Sequence, residues 1–200
     1  MQTQRRFTAM AVVLIWCAGC STETRVPAAG DTSSGPAADQ PVARTGATQR
    51  PAPWTVTTFG IGPMRAGMAV REASASLNGA LVAPATRDSA ACDYLTWRDG
   101  PPGVKVMMEN GRIARVEVDS GATTTDAGAR IGDSEARIRE LYGNRVSVAP
   151  HKYTSGRYLI VTPANATDSL FRLVFETDGR RVTRFRSGLL PPVLYVEGCG

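Results

Sequence analysis

Residues 170–188, LFRLVFETDGRRVTRFRSG, read as two apolar-rich runs joined at Asp178-Gly179. They echo residues 104–121, VKVMMENGRIARVEVDSG, which turn at Asn110-Gly111. Asx-Gly between apolar runs marks a β-hairpin, because the turn needs positive φ and glycine supplies it without steric cost. Outward from each hairpin lies a Tyr-bearing run, Tyr94-Leu95-Thr96-Trp97 before the first and Tyr158-Leu159-Ile160-Val161 before the second. Each run is preceded by a helical pattern. Val70, Ala73 and Leu77 share one helix face within residues 61–78. Ile138, Leu141 and Tyr142 do the same behind a capping Asp133 or Ser134. Gly67 to Gly132, Tyr94 to Tyr158, Gly111 to Gly179 and Arg115 to Arg184 lie 65, 64, 68 and 69 residues apart. Landmarks that keep their order at a nearly constant spacing are the mark of internal duplication. The expected fold is therefore α+β: two tandem helix–strand–hairpin units, residues 54–125 and 126–200, forming one antiparallel sheet with helices on one face. Residues 54–59 read as a strand or extended lead-in, 81–91 as loop, 123–128 as a connector and 193–196 as a last short strand.

The chain begins differently. Arg5 and Arg6 precede an apolar run, FTAMAVVLIWCA over residues 7–18. A basic start, a short apolar core and small residues at its end read as a secretory signal peptide, residues 1–19. The run is shorter than the ~20 apolar residues a spanning helix takes. Ala18-Gly19-Cys20 resembles the lipobox of bacterial lipoproteins, with Cys17 where that family usually has Leu. The resemblance implies cleavage before Cys20, lipid on its sulfur, and anchorage to the membrane through that lipid. Ser21, rather than Asp, resembles the sorting signal for the outer membrane, which puts the chain on its periplasmic side. The alternative is a soluble periplasmic protein released by an ordinary signal. Residues 20–53, rich in Ala, Thr, Ser, Gly and Pro, lack apolar periodicity and read as a lipidated flexible tether. A loose coil of that length reaches about 30 Å.

Hydrophobic residues make up 42% of the chain, which suits a globular protein, and the formal net charge is +5. Loss of Arg5 and Arg6 with the signal leaves 5 − 2 = +3, too mild for a nucleic-acid partner, which takes clustered Lys and Arg. Cys92 and Cys199, well separated in an exported chain, read as a disulfide.

Arg-x-Gly at Arg65-Ala66-Gly67 and Arg130-Ile131-Gly132, then a short helix, a Tyr-bearing strand and a Gly-turn hairpin, resembles the BamE/SmpA family of small outer-membrane lipoproteins. In duplicate it resembles the β-lactamase inhibitory protein fold. The resemblance covers roughly residues 59–187, and implies an envelope binding module rather than a catalyst.

A three-residue turn at each Gly would pair Lys105 with Arg115, Arg172 with Arg184, Leu170 with Arg186 and Phe171 with Phe185. Apolar residues would then face inward and basic ones outward, joined by Tyr94 and Tyr158. Like charges facing each other repel, and Tyr and Arg are enriched at binding hot spots. Tyr94, Lys105, Arg115, Tyr158, Arg172, Arg184 and Arg186 are therefore the expected contact surface for an acidic envelope protein, with Glu117 neutralising part of the charge. Catalytic chemistry has little footing. His151 is the single histidine, no metal-ligand spacing is present, and neither a nucleophile elbow nor a phosphate-cradling Gly loop occurs. No cofactor is expected. The function expected is a non-catalytic protein-binding or scaffolding lipoprotein. An inhibitor of a secreted or periplasmic enzyme and an enzyme of unrecognised type are the alternatives.

Overall fold

The structure, a computed structural model, describes residues 54–84 and 92–199. The expected signal peptide, Cys20 and the tether over 20–53 lie outside the described residues. In chain order the elements are β1 (Thr55–Thr57), β2 (Gly60–Ile61), β3 (Met64–Arg65), α1 (Val70–Ser76), β4 (Leu81–Val82), β5 (Asp93–Trp97), β6 (Val104–Glu109) and β7 (Arg112–Val118). Then come β8 (Thr124–Thr125), α2 (Glu135–Tyr142), β9 (Val146–Pro150), β10 (Arg157–Val161), β11 (Phe171–Thr177) and β12 (Val182–Leu189). The fold is α+β. Eight antiparallel strands run in the order β4-β5-β6-β7-β12-β11-β10-β9, and a small mixed sheet runs β3-β2-β1-β8, with β1 parallel to β8.

The two helices start in the same way. Gly67 and Gly132 take φ of 92° and 90°, a left-handed conformation that favours glycine. Their N–H groups donate to Ile113 O and Val182 O at 2.7 and 2.8 Å. Arg112 Nη1 and Arg181 Nη1 each return to the glycine carbonyl at 2.8 Å. Ala69 bridges to Arg112 as Ser134 bridges to Arg181. The helices differ in their caps: Ser134 Oγ accepts from Arg137 N at 3.1 Å, whereas Ala69 has no side-chain oxygen to offer.

Ala73 of α1 and Leu77 just past its end, with Ile138 and Tyr142 of α2, are buried in the same cluster as Leu95, Val106, Val116, Leu159, Leu173, Phe175 and Phe185. Full burial of each large side chain stabilises by roughly 1.5–3 kcal/mol. The Tyr142 ring lies 5.7 Å from that of Phe175, and its hydroxyl reaches Thr125 Oγ1 of β8 at 2.7 Å. Burial pushes the Tyr142 phenol up to about 12.

Several local expectations are corrected. Residues 61–65 are largely extended rather than helical, because Pro63 and the left-handed Gly67 delay the helix to Val70. Leu81–Val82 pairs with Trp97 and Thr96 as an edge strand, where a loop was expected. Val146–Pro150 is a further edge strand; its Pro is tolerated there because the strand has only one neighbour. Residues 193–196 form no strand, and Pro192–Leu194 is instead a 3₁₀ turn.

The hairpin registers are corrected too. Asn110 and Gly111 both take positive φ, so the first turn has two central residues, with a bulge at Met107/Met108. In the second, Asp178 Oδ1 accepts from Arg180 N and Arg181 N, both at 2.8 Å, and this holds a four-residue loop. Lys105 therefore faces Glu117 instead of Arg115, and Arg184 faces Glu176 instead of Arg172. Arg186 faces Val174, and Phe185 faces Phe175.

Ala69→Ser should raise stability by about 1 kcal/mol and Ser134→Ala lower it by a similar amount, since a hydroxyl cap satisfies a free helix N–H; urea unfolding would read both. A folded-state pKa raised above the ordinary value of 10.0 also favours the folded form while the phenol is protonated. That contribution is complete below pH 10 and disappears as pH rises toward 12, a loss of roughly 2 kcal/mol. Tyr142→Phe should flatten the fall in stability over that window.

Candidate functional site

Strand alternation sets the site. Leu95, Val116, Leu159, Leu173, Phe175 and Phe185 point toward the helices. Tyr94, Arg115, Glu117, Tyr158, Arg172, Val174, Glu176, Arg184 and Arg186 consequently lie on the opposite face. All seven expected contact residues share it, in rows set by register. One row runs Lys105, Glu117, Arg186, Val174. Another runs Tyr94, Met107, Arg115, Gly188, Arg172. Arg184 and Glu176 continue to Tyr158 in a third.

The face is covered by the chain's own C-terminal segment. After the cis Leu190–Pro191 bond, residues 191–199 cross it, and Cys199 joins Cys92, just before β5, in a disulfide. Val193 is buried against Tyr158 and Val174. Carbonyls of such a cover need partners once water is gone. Two arginines supply them. Arg115 Nη1 donates to Pro192 O at 2.8 Å and to Tyr195 O at 2.5 Å, while Arg186 Nε donates to Val193 O at 2.6 Å. Each guanidinium also pairs with a carboxylate, Arg115 with Glu117 at 2.8 Å and Arg186 with Glu176. Arg115 and Arg186 are 2% and 4% exposed, which removes them from any open surface. Tyr158 is buried as well. Arg172 stands apart, donating to the carbonyls of Ser169 and Phe171.

Lys105 and Arg184 remain accessible, with 56% and 53% of their side chains in solvent. Lys105 pairs with Asp119 at 2.6 Å, and that bond lifts the ammonium's pKa and lowers the carboxylate's. Arg184 Nε meets Glu176 Oε2 at 2.9 Å. It also separates two clefts, one of about 430 Å³ reaching Tyr94 and Gly198, the other of about 230 Å³ beside His151. Burial pushes the Tyr94 phenol up, and its bond to Glu117 adds to the effect. Tyr94 therefore stays protonated and donates to that carboxylate.

Sequence reasoning passed over Glu176 and the structural use of His151. Nδ1 of His151 accepts from the N–H groups of Tyr153 and Thr154 at 3.1 and 3.2 Å, so Nε2 carries the proton and faces Glu176 Oε2 at 3.4 Å. The ring stacks on Tyr158 with centroids 4.6 Å apart. Both ring nitrogens are thus engaged within the protein. One signal in the chain pointed toward Glu176: it is the single carboxylate in a strand with Arg172, facing a strand with Arg184 and Arg186. Among the described residues, no group of three His, Cys, Asp or Glu is placed to hold a metal ion. Comparison with protein-family models, curated proteins and solved structures finds no match to this chain.

Arg186→Ala should destabilise by about 2–3 kcal/mol, because it leaves Glu176 with the half-exposed Arg184 and the more distant His151 and takes the donor from Val193 O in the C-terminal segment. Arg184→Ala, whose side chain is half in solvent, should cost under ~1 kcal/mol. Urea unfolding of the two variants side by side checks the contrast.

Proposed function

We propose that this chain is a lipid-anchored, non-catalytic binding module of a bacterial cell envelope, built from two tandem copies of one helix–strand–hairpin unit. The repeated contacts at Gly67 and Gly132, and a strand order that mirrors itself about β7 and β12, support the duplication. The resemblance of each unit to the BamE/SmpA lipoproteins agrees with it. The Cys92–Cys199 bridge supports an oxidising compartment, and the signal and lipobox pattern before Ser21 supports outer-membrane anchorage through Cys20.

The observation that carries the binding reading is the commitment of the charged face. Arg115, Arg186, Glu117 and Glu176 hold the C-terminal segment, and His151 spends both nitrogens on the same framework. What the face turns to solvent is a rim carrying Lys105 and Arg184. A rim charge steers and selects a partner more than it adds affinity. The partner that fits is an envelope protein with an acidic patch, and this face reads it without any cofactor.

Metabolic labelling with palmitate in a bacterial host should mark the wild-type chain and not Cys20→Ser, which should move to the soluble fraction. Crosslinking in intact cells should recover a partner with the wild type, and several-fold less of it with Lys105→Glu/Arg184→Glu. Full labelling of Cys20→Ser would refute the anchor, and undiminished recovery by the double variant would refute the rim.

A further inference from the structure

We propose that the cleft around Trp54 and Trp97, on a different part of the molecule from the C-terminal strap, binds a neutral oligosaccharide. The cleft has a volume of about 530 Å³ and is lined by Trp54, Leu77, Asn78, Trp97, Arg98 and Asp99, among others. That size lies within the ~300–1,000 Å³ usual for small-ligand sites. A second cleft of about 360 Å³ adjoins it, and the two share Trp54 and Asp99. Trp54 therefore borders both clefts.

The indoles are held firmly. Their centroids lie 5.6 Å apart at 67°, edge to face. Each leans on a glycine: a Cβ at Gly62 would come within 2.3 Å of Trp54, and one at Gly100 within 2.6 Å of Trp97. The polar wall is as specific. Asn78 and Asp99 take φ of 53° and 58°, positions that glycine fills most easily. They place an exposed amide and an exposed carboxylate at the rim of the cleft, where both are free to exchange water for a ligand's hydroxyls. Arg98 donates one bond, from Nη2 to Gly79 O at 3.3 Å, which leaves further guanidinium N–H groups to give.

These features select the ligand's chemistry. A cation would suit the indoles and Asp99 but meets Arg98. An anion would suit Arg98 but meets Asp99. A wholly apolar molecule would leave Asn78 and Asp99 desolvated without partners. A pyranose has an apolar C–H face for an indole and a rim of hydroxyls that both donate and accept. It satisfies every group on the wall, and a linked second ring extends into the adjoining cleft past Trp54.

The test titrates the purified full chain with tri-N-acetylchitotriose, maltotriose and cellotriose, using tryptophan fluorescence and calorimetry. Choline chloride and inorganic phosphate serve as charged probes. At least one trisaccharide should bind with Kd of roughly 10 μM to 1 mM and neither charged probe should. Trp54→Ala should weaken binding at least about tenfold. Asn78→Gly and Asp99→Gly keep the left-handed backbone and remove only the polar groups, so they should fold and still bind about 3–10-fold more weakly. No response to any of the three sugars at about 10 mM would overturn the proposal. So would tighter binding of choline or phosphate, or unchanged affinity in both glycine variants. If Trp54→Ala fails to fold, the glycine variants decide the matter.

Discussion

β12 lies close against β7 because Gly188 has no side chain. A Cβ there would come within 2.4 Å of Ala114 O and 2.6 Å of the Arg115 Cβ. This approach sets the join between the two halves of the eight-stranded sheet, with Gly188 opposite Arg115 and Arg186 opposite Glu117. From that register the rest follows. Val116 and Phe185 point into the helix-side core, and Arg115 and Arg186 point the other way, each within reach of a carboxylate and of the C-terminal carbonyls. A shift of one residue would exchange the faces, burying guanidinium groups among Leu173, Phe175 and Ile138.

The charged face has an unusual energetic character. Buried ion pairs lose hydration that their attraction does not always restore, and they contribute specificity more surely than stability. Here the guanidinium groups also satisfy carbonyls of a segment with few backbone partners of its own. The disulfide fixes the far end of that segment and shortens the unfolded chain's loop across 107 residues, an effect of roughly 4–5 kcal/mol in the chain-entropy model. Covalent and ionic fastenings thus work on one short stretch, and the accessible cations are left at its margin.

Much of this was legible in the chain. The Asx-Gly turns, the Tyr-bearing strands, the helix at Ser134 and the cysteine pair are local signals, each with a local physical cause. Alternation also placed the seven basic and tyrosyl residues on one face. Register was not legible, because it depends on how many residues a turn consumes. Asp178 lengthens its loop by accepting two backbone N–H groups, and the bulge at Met107 shifts the other hairpin. Those shifts turn facing like charges into facing opposite ones. The C-terminal cover was also hidden: Pro191-Pro192 announces a break in regular structure but not where the chain goes next. Edge strands such as β4 and β9 carry few residues and weak alternation, so their assignment rests on neighbours that only the tertiary structure supplies.

The hydrogen-bond pattern makes Met107 and Glu176 counterparts, the former between Tyr94 and Arg115, the latter between Tyr158 and Arg184. Glu117 and Arg186 are counterparts of opposite sign. The strand pairing is thus similar on the two sides of the β7–β12 join, and the side chains it carries are not. A half-turn about the join would therefore bring unlike side chains into register, so the two ends of the face beneath the C-terminal segment differ in charge where their strand pairing is alike.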